Sequence, residues 1–162
     1  MKIACMKGNS WQVLSTALLF GAAAVGEIAH AQVPPAERAA LIDFYTSTHG
    51  AGWKSQGGWL GAQGTECNWL GVSCVGGYIA SINLFDNGLT GTFPATLTAL
   101  TELTELNVTH NAITGPLPAL GSLPKLQRFV ATSNALTGPI PSLQGATALQ
   151  DVLLGDNQLR NL

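Results

Sequence analysis

The chain has 162 residues, enough for one domain with its own hydrophobic core. Charged residues make up 10% of it and glycine contributes 19 residues, a composition typical of many short turns rather than of long solvated helices. The net charge of −2 and the lack of a basic cluster argue against nucleic acid as a partner.

Residues 1–31 are predicted to be a signal peptide, with Met6 as an alternative start to the first methionine. Lysines precede an uncharged, mostly apolar run at 13–25. A membrane anchor is the weaker interpretation, because this run of about 13 residues is shorter than the ~20 that span a bilayer. The small residues Ala29 and Ala31 suit signal peptidase. Cleavage after Ala31 predicts a secreted, periplasmic or extracellular protein without a membrane span.

The mature chain is predicted to begin with a helix at 36–47, after two prolines. One helical face carries apolar side chains, and Gly50 offers a stop. The apolar residues are Ala40, Leu41, Phe44 and Tyr45. Trp53 and Trp59 follow in a glycine-rich turn.

Cys67 and Cys74 are the cysteines that remain after cleavage. An even pair in an exported domain predicts one disulfide. Two cysteines without a supporting histidine or carboxylate cluster are too few ligands for zinc, so no metal site is predicted.

A repeat of about 23 residues occupies the chain from residue 78 to residue 162. Its frame is L-x-x-L-x-L-x-x-N, and the four copies end at Asn87, Asn111, Asn134 and Asn157. Alternation within the frame predicts a short strand with one buried face. The asparagine amides are predicted to satisfy backbone groups of buried turns, forming a structural ladder between stacked repeats.

Side chains that flank the buried strand positions are predicted to form three columns on the concave side. The columns are Ser81, Glu105, Arg128 and Asp151; Asn83, Asn107, Val130 and Leu153; and Phe85, Thr109, Thr132 and Gly155. We expect Arg128 to form exposed ion pairs with Glu105 and Asp151, each worth about 0.5 kcal/mol.

Three apolar residues in these columns, Phe85, Val130 and Leu153, occupy positions where solvent is expected, and such grouping indicates a contact surface. The predicted ligand-binding residues are Phe85, Glu105, Asn107, Thr109, Arg128, Val130, Thr132, Asp151 and Leu153. Four strands ~4.8 Å apart make a face about 20 Å wide, small beside the ~800 Å² per partner of a stable protein interface. A peptide or a loop is therefore the expected ligand.

A second element, L-T-G-x-I-P, follows the asparagine at residues 89–94, 113–118 and 136–141. With the N-terminal order A-L-x-x-F, W, W, C-x-W-x-G-V-x-C, it closely resembles plant-type leucine-rich-repeat proteins, such as receptor-like ectodomains, polygalacturonase-inhibiting proteins and secreted microbial proteins. The resemblance implies a solenoid of the α/β horseshoe class. A helical cap at residues 32–77 would bury the tryptophans, parallel strands would line the concave side, and 3₁₀ turns and short strands the convex side.

The fourth repeat is predicted to be incomplete. Arg160 and Asn161 stand where Thr-Gly is expected, and no L-x-x-L return follows. An open end exposes apolar core and a strand edge. A truncated chain and self-association through this end are therefore both alternatives.

The predicted function is secreted, non-catalytic recognition of a protein or peptide. Inhibition of a secreted cell-wall hydrolase and a remnant of a receptor ectodomain are alternatives. An enzyme is not expected, because neither His49 nor His110 has a Ser or Cys nucleophile at motif spacing, and no cofactor motif is present. Asn107 begins an acceptor sequon that matters only in a eukaryotic secretory route.

Overall fold

The structure, a computed structural model, describes residues 32–160. The predicted signal peptide and the last two residues lie outside this range. The helix and strands are α1 Pro35–Ser47, β1 Val72–Val75, β2 Tyr78–Asn83, β3 Glu105–Asn107, β4 Thr114–Gly115, β5 Arg128–Val130, β6 Ala135–Pro139, β7 Asp151–Leu153 and β8 Gln158–Arg160. Short 3₁₀ turns lie at Gly50–Gly52, Glu66–Asn68, Ala95–Ala99 and Leu120–Ser122.

The strands form two sheets of a leucine-rich-repeat solenoid. The sheet that we call the concave sheet has the order β1-β2-β3-β5-β7, and a three-stranded convex sheet has the order β4-β6-β8. β1 is antiparallel to β2, whereas the strands of successive repeats pair in parallel. This confirms the predicted solenoid with parallel strands.

Helix α1 begins at Pro35, one residue before the predicted start, and ends at Ser47 as predicted. Its buried face includes Ala40, Leu41 and Phe44. The role predicted for Gly50 as the stop is wrong, because His49 is the residue that takes the left-handed conformation, with φ of 54°. A Cβ on Gly50 would lie 2.2 Å from the Tyr45 ring, so glycine is required there by close packing.

Three tryptophans are buried beside α1, as the family resemblance implied. Each indole nitrogen donates a hydrogen bond: Trp53 to the Thr48 carbonyl at 3.0 Å, Trp59 to the Leu70 carbonyl at 2.9 Å and Trp69 to the Thr65 hydroxyl at 3.1 Å. With their polar atoms paired, the rings can cover the first repeat without leaving an orphaned N–H.

The asparagine at the end of each frame bonds to backbone groups in two neighbouring turns. Asn111 Oδ1 accepts the N–H groups of Asn87 and Leu89 at 3.0 and 2.9 Å, and its Nδ2 donates to the Leu84 carbonyl at 2.9 Å. Asn134 and Asn157 bond in the same way to the turn before their own. Asn87 has no earlier repeat and exchanges two bonds of 2.8 Å with the Ser55 backbone.

The convex strands form at the second element of the repeat. β6 pairs with both β4 and β8. Arg160, which stands where the repeat has threonine, is still paired in β8, opposite Pro139 of β6. Arginine is compatible with this position because parallel pairing uses backbone groups, which every residue except proline supplies in full.

Candidate functional site

The predicted columns on the concave sheet are present in the strand register. Ser81, Glu105, Arg128 and Asp151 are consecutive partners, as are Asn83, Asn107, Val130 and Leu153. Beyond the strand ends, Asp86 N donates to the Thr109 carbonyl at 2.9 Å and His110 N to the Thr132 carbonyl at 3.0 Å, which continues the pairing through the third column. All nine predicted ligand-binding residues therefore lie on one face of the concave sheet.

The three apolar residues of these columns differ in exposure. Phe85 is 54% exposed and Leu153 is 45% exposed, as expected. The predicted exposure of Val130 is wrong, since its side chain is only 7% exposed. Val130 lies on the inner strand β5, which is paired on both sides, between Asn107 and Leu153 of the same column.

The predicted ion pairs of Arg128 with Glu105 and Asp151 are also wrong. Within residues 32–160, the ion pairs join Arg38 to Glu66, Lys54 to Asp86 and Lys125 to Glu102. Exposed pairs gain little over hydration, so register alone does not bring the charges together. Glu105, Arg128 and Asp151 are left to interact with solvent or a ligand.

A cleft of about 560 Å³ opens where the N-terminal segment meets the first repeat, and we call it the junction cleft. Leu70, which is 40% exposed, and Phe85 are its exposed apolar side chains. The lining residues are Lys54, Ser55, Leu70, Gly71, Asn83, Leu84, Phe85, Asp86 and Asn87. The sequence did not identify Lys54, Ser55, Leu70 or Gly71 as site residues, because they lie outside the repeat.

The wall of the junction cleft is held by backbone bonds. Leu70 N donates to the Gly57 carbonyl at 2.7 Å, and Asn83 N donates to the Gly71 carbonyl at 2.7 Å. Gly71 has φ of 76°, and a Cβ there would lie 2.1 Å from the Asn83 carbonyl oxygen. The Cys67–Cys74 disulfide closes the loop that carries both wall residues. The wall is therefore in place before any ligand binds.

The rim of the junction cleft carries the charges. Lys54 Nζ bonds to Asp86 Oδ1, and this hydrogen bond holds the pKa of Asp86 below its usual value.

The turns that follow the concave strands have a fixed backbone conformation beside the cleft. Asp86 and His110 both adopt left-handed backbone, with φ of 45° and 55°. The His110 ring meets Phe85 edge-on, with the ring centres 5.4 Å apart.

Other chemistry-bearing groups do not gather at this surface. Across residues 32–160, no three His, Cys, Asp or Glu side chains are placed to share a metal ion. The same residues contain no helix that is long and apolar enough to cross a membrane. His49 Nδ1 lies 2.7 Å from the Thr90 hydroxyl, away from the concave sheet.

No protein-family model matches the chain. Among curated proteins, it is similar to the rice receptor protein kinase WSS1, with 35% identity over 106 residues. That match covers 64% of this chain and 10% of the kinase. The chain thus spans about a tenth of that relative's length.

Two solved structures from Arabidopsis share the fold. The BIR2 ectodomain is 27% identical with a TM-score of 0.62, over 73% of this chain and 68% of that one. The leucine-rich-repeat ectodomain of the receptor kinase HAESA, solved with an N-terminal extended IDA peptide hormone ligand, is 30% identical with a TM-score of 0.57, over 75% and 22% of the two chains.

Proposed function

We propose that this chain, a leucine-rich-repeat protein of the plant type, is an extracellular, non-catalytic module that binds a peptide or a protein loop through its concave sheet. In this proposal residues 1–31 are the signal peptide, residues 32–77 the cap and residues 78–162 the repeats. The Cys67–Cys74 disulfide supports an oxidising compartment.

The observation that carries the proposal is the exposure of Phe85 and Leu153 on a preformed sheet surface. The strands also expose Val75 and Tyr78, at the turn between β1 and β2. Phe85 and Leu153 differ from that pair because they belong to the predicted columns of the concave sheet, and large apolar side chains left in solvent on one face indicate a contact surface. The HAESA ectodomain, which has the same fold, is solved with a peptide ligand. That similarity supports a peptide as the ligand class.

The test is a selection on the protein secreted from the full chain, with a phage-displayed library of random 12-residue peptides. We expect enriched peptides whose affinity falls about tenfold in Phe85→Ser and in Leu153→Ser, because each change removes an apolar contact. Ile140→Ser is the matched control, since Ile140, at 42%, is nearly as exposed as Leu153 but lies beside the convex strand β6.

Failure to enrich any peptide would contradict the proposal. Peptides that bind Phe85→Ser and Leu153→Ser as well as the unmodified protein would contradict it too. Loss of binding confined to Ile140→Ser would place the site on the convex side.

Two alternatives remain within the recognition class. The match to one-tenth of a receptor kinase supports a receptor-ectodomain segment, which genomic sequence after Leu162 tests. An inhibitor of a secreted cell-wall hydrolase would instead slow such an enzyme in a direct assay. Self-association is a separate hypothesis, and a monomer in size-exclusion chromatography with light scattering contradicts it.

A further inference from the structure

We infer that the ligand of the concave sheet is an extended, positively charged peptide with two apolar side chains four positions apart. One side chain enters the junction cleft and the other packs on Leu153. This inference rests on the proposed function and adds to it the chemistry and spacing of the ligand.

The spacing follows from the distance between the two apolar places. Asn83, which lines the junction cleft, lies in the same column as Leu153 and three strand spacings away. Three spacings of ~4.8 Å make about 14 Å. An extended peptide rises ~3.3 Å per residue and presents alternate side chains to one face, so residues i and i+4 lie ~13 Å apart on the same side. A peptide lying along the column can therefore fill both places.

The middle of the column suits the main chain of such a peptide. Val130 is covered, so it offers no third apolar anchor. Asn83 and Asn107 each use Oδ1 to accept a backbone N–H two residues ahead, at 3.3 and 3.1 Å. Their Nδ2 groups make no hydrogen bond to another of residues 32–160 and are free to donate to peptide carbonyls.

The charge of the surface sets the charge of the ligand. Lys54 and Asp86 neutralise each other at the rim. The remaining charged side chains of the columns and the adjoining turns are Glu105, Arg128, Asp151 and Asp156, three carboxylates against one guanidinium. Asp156 Oδ2 accepts a 3.2 Å bond from the Ser133 hydroxyl. Potentials across an interface are complementary, so lysines between the two apolar residues are favoured.

The experiment measures the affinity of the full secreted chain for the labelled peptide Ac-Gly-Ser-Phe-Lys-Thr-Lys-Leu-Ser-Gly-NH2 by fluorescence anisotropy. A spacing control, Ac-Gly-Ser-Phe-Lys-Thr-Leu-Lys-Ser-Gly-NH2, has the same composition and net charge but places leucine on the opposite face. A charge control replaces both lysines by glutamates. We expect each control to bind about tenfold more weakly than the probe, and binding of the probe to weaken with added salt.

The protein variants locate the contacts. Leu153→Ser and Leu70→Ser are each expected to weaken the probe about tenfold, whereas Ile140→Ser is expected to leave its affinity unchanged. Circular dichroism of each variant verifies that the fold is retained. Leu70 and Leu153 are both partly exposed, so serine is compatible with folding at either position.

Equal affinity for the probe and the spacing control overturns the inference, and so does tighter binding of the glutamate peptide. Absence of probe binding also overturns it. If library peptides still depend on Phe85 and Leu153 in any of these cases, the proposed function stands and only the spacing or charge of the ligand is wrong. If they do not, the proposed function fails as well.

Discussion

Single side chains on the concave sheet differ in how well their polar atoms are satisfied. The Thr109 hydroxyl is the buried side-chain oxygen that has no hydrogen-bond partner among residues 32–160. The amide of Asn111, two residues later, makes five bonds to backbone groups. A buried polar atom stabilises the fold only when it is paired, so these two residues are expected to respond oppositely to substitution.

Replacing Thr109 by valine is expected to raise the free energy of unfolding by about 1 kcal/mol, because an unpaired buried hydroxyl gives way to a methyl group of similar size. Urea unfolding followed by tryptophan fluorescence measures the change. Thr132→Val is the matched control, since Thr132 occupies the same column without an orphaned hydroxyl. Equal stabilisation by both changes would contradict the explanation. Bacterial expression keeps the Asn107 sequon unmodified.

Replacing Asn111 by alanine is expected to lower the free energy of unfolding by about 3 kcal/mol. The change leaves the N–H groups of Asn87 and Leu89 without acceptors in the turn between two repeats. Asn83→Ala is the comparison, because Asn83 is exposed and its side chain makes one 3.3 Å bond. This change should lower the free energy of unfolding by less than about 0.5 kcal/mol. Similar losses of unfolding free energy in both variants would show that the asparagine ladder does not cause the destabilisation.

Among the elements, α1 is joined to the concave sheet by a buried carboxylate. Glu37 accepts the Ile79 N–H of β2 at 2.7 Å, and burial raises the pKa of Glu37 above its ordinary value of 4.5. The folded state therefore keeps this proton to higher pH than the unfolded state. The resulting stabilisation is complete below pH 4.5 and is lost as pH rises through the raised folded pKa.

We expect Glu37→Gln to flatten this pH dependence, because glutamine keeps an acceptor for the Ile79 N–H but does not titrate. Urea unfolding at pH 4 and at pH 7 makes the comparison: the unmodified protein should lose more stability between these values than the variant. Glu37→Leu, which lacks the acceptor, should be destabilised at both. An unchanged pH slope in Glu37→Gln would mean that Glu37 is not the titrating group.

Across the whole molecule, equivalent repeat positions are not equally buried. Leu84, Val108 and Ala131 occupy one frame position in successive turns and are buried, whereas Leu154 occupies it in the last described turn and is half-exposed. Each turn of a solenoid packs only on its neighbours, so burial depends on how many neighbours a turn has.

Leu84→Ala is therefore expected to cost about 3 kcal/mol and Leu154→Ala about 1 kcal/mol, although both remove the same atoms from the same frame position. Chemical denaturation of the two variants measures the difference. Equal costs would mean that the last turn is covered in solution, for example by another copy of the chain.

The repeat period, the parallel strands, the asparagine-ended turns and the Cys67–Cys74 disulfide could all be predicted from the sequence. The first three features depend on local alternation and on contacts between equivalent positions in adjacent turns, and a period in the chain specifies both. The disulfide follows instead from an even pair of cysteines in an exported domain. The column register follows from the same period.

Only the tertiary structure decided which side chains of the concave sheet are exposed and where a cleft lies beside it. The junction cleft exists because a nonperiodic loop carrying Lys54 and Leu70 packs beside Phe85, and no period specifies that contact. The burial of Val130 and the separation of Arg128 from its neighbouring carboxylates likewise depend on which side chains surround each residue in space. Register places residues opposite one another, but solvation and packing decide whether they touch.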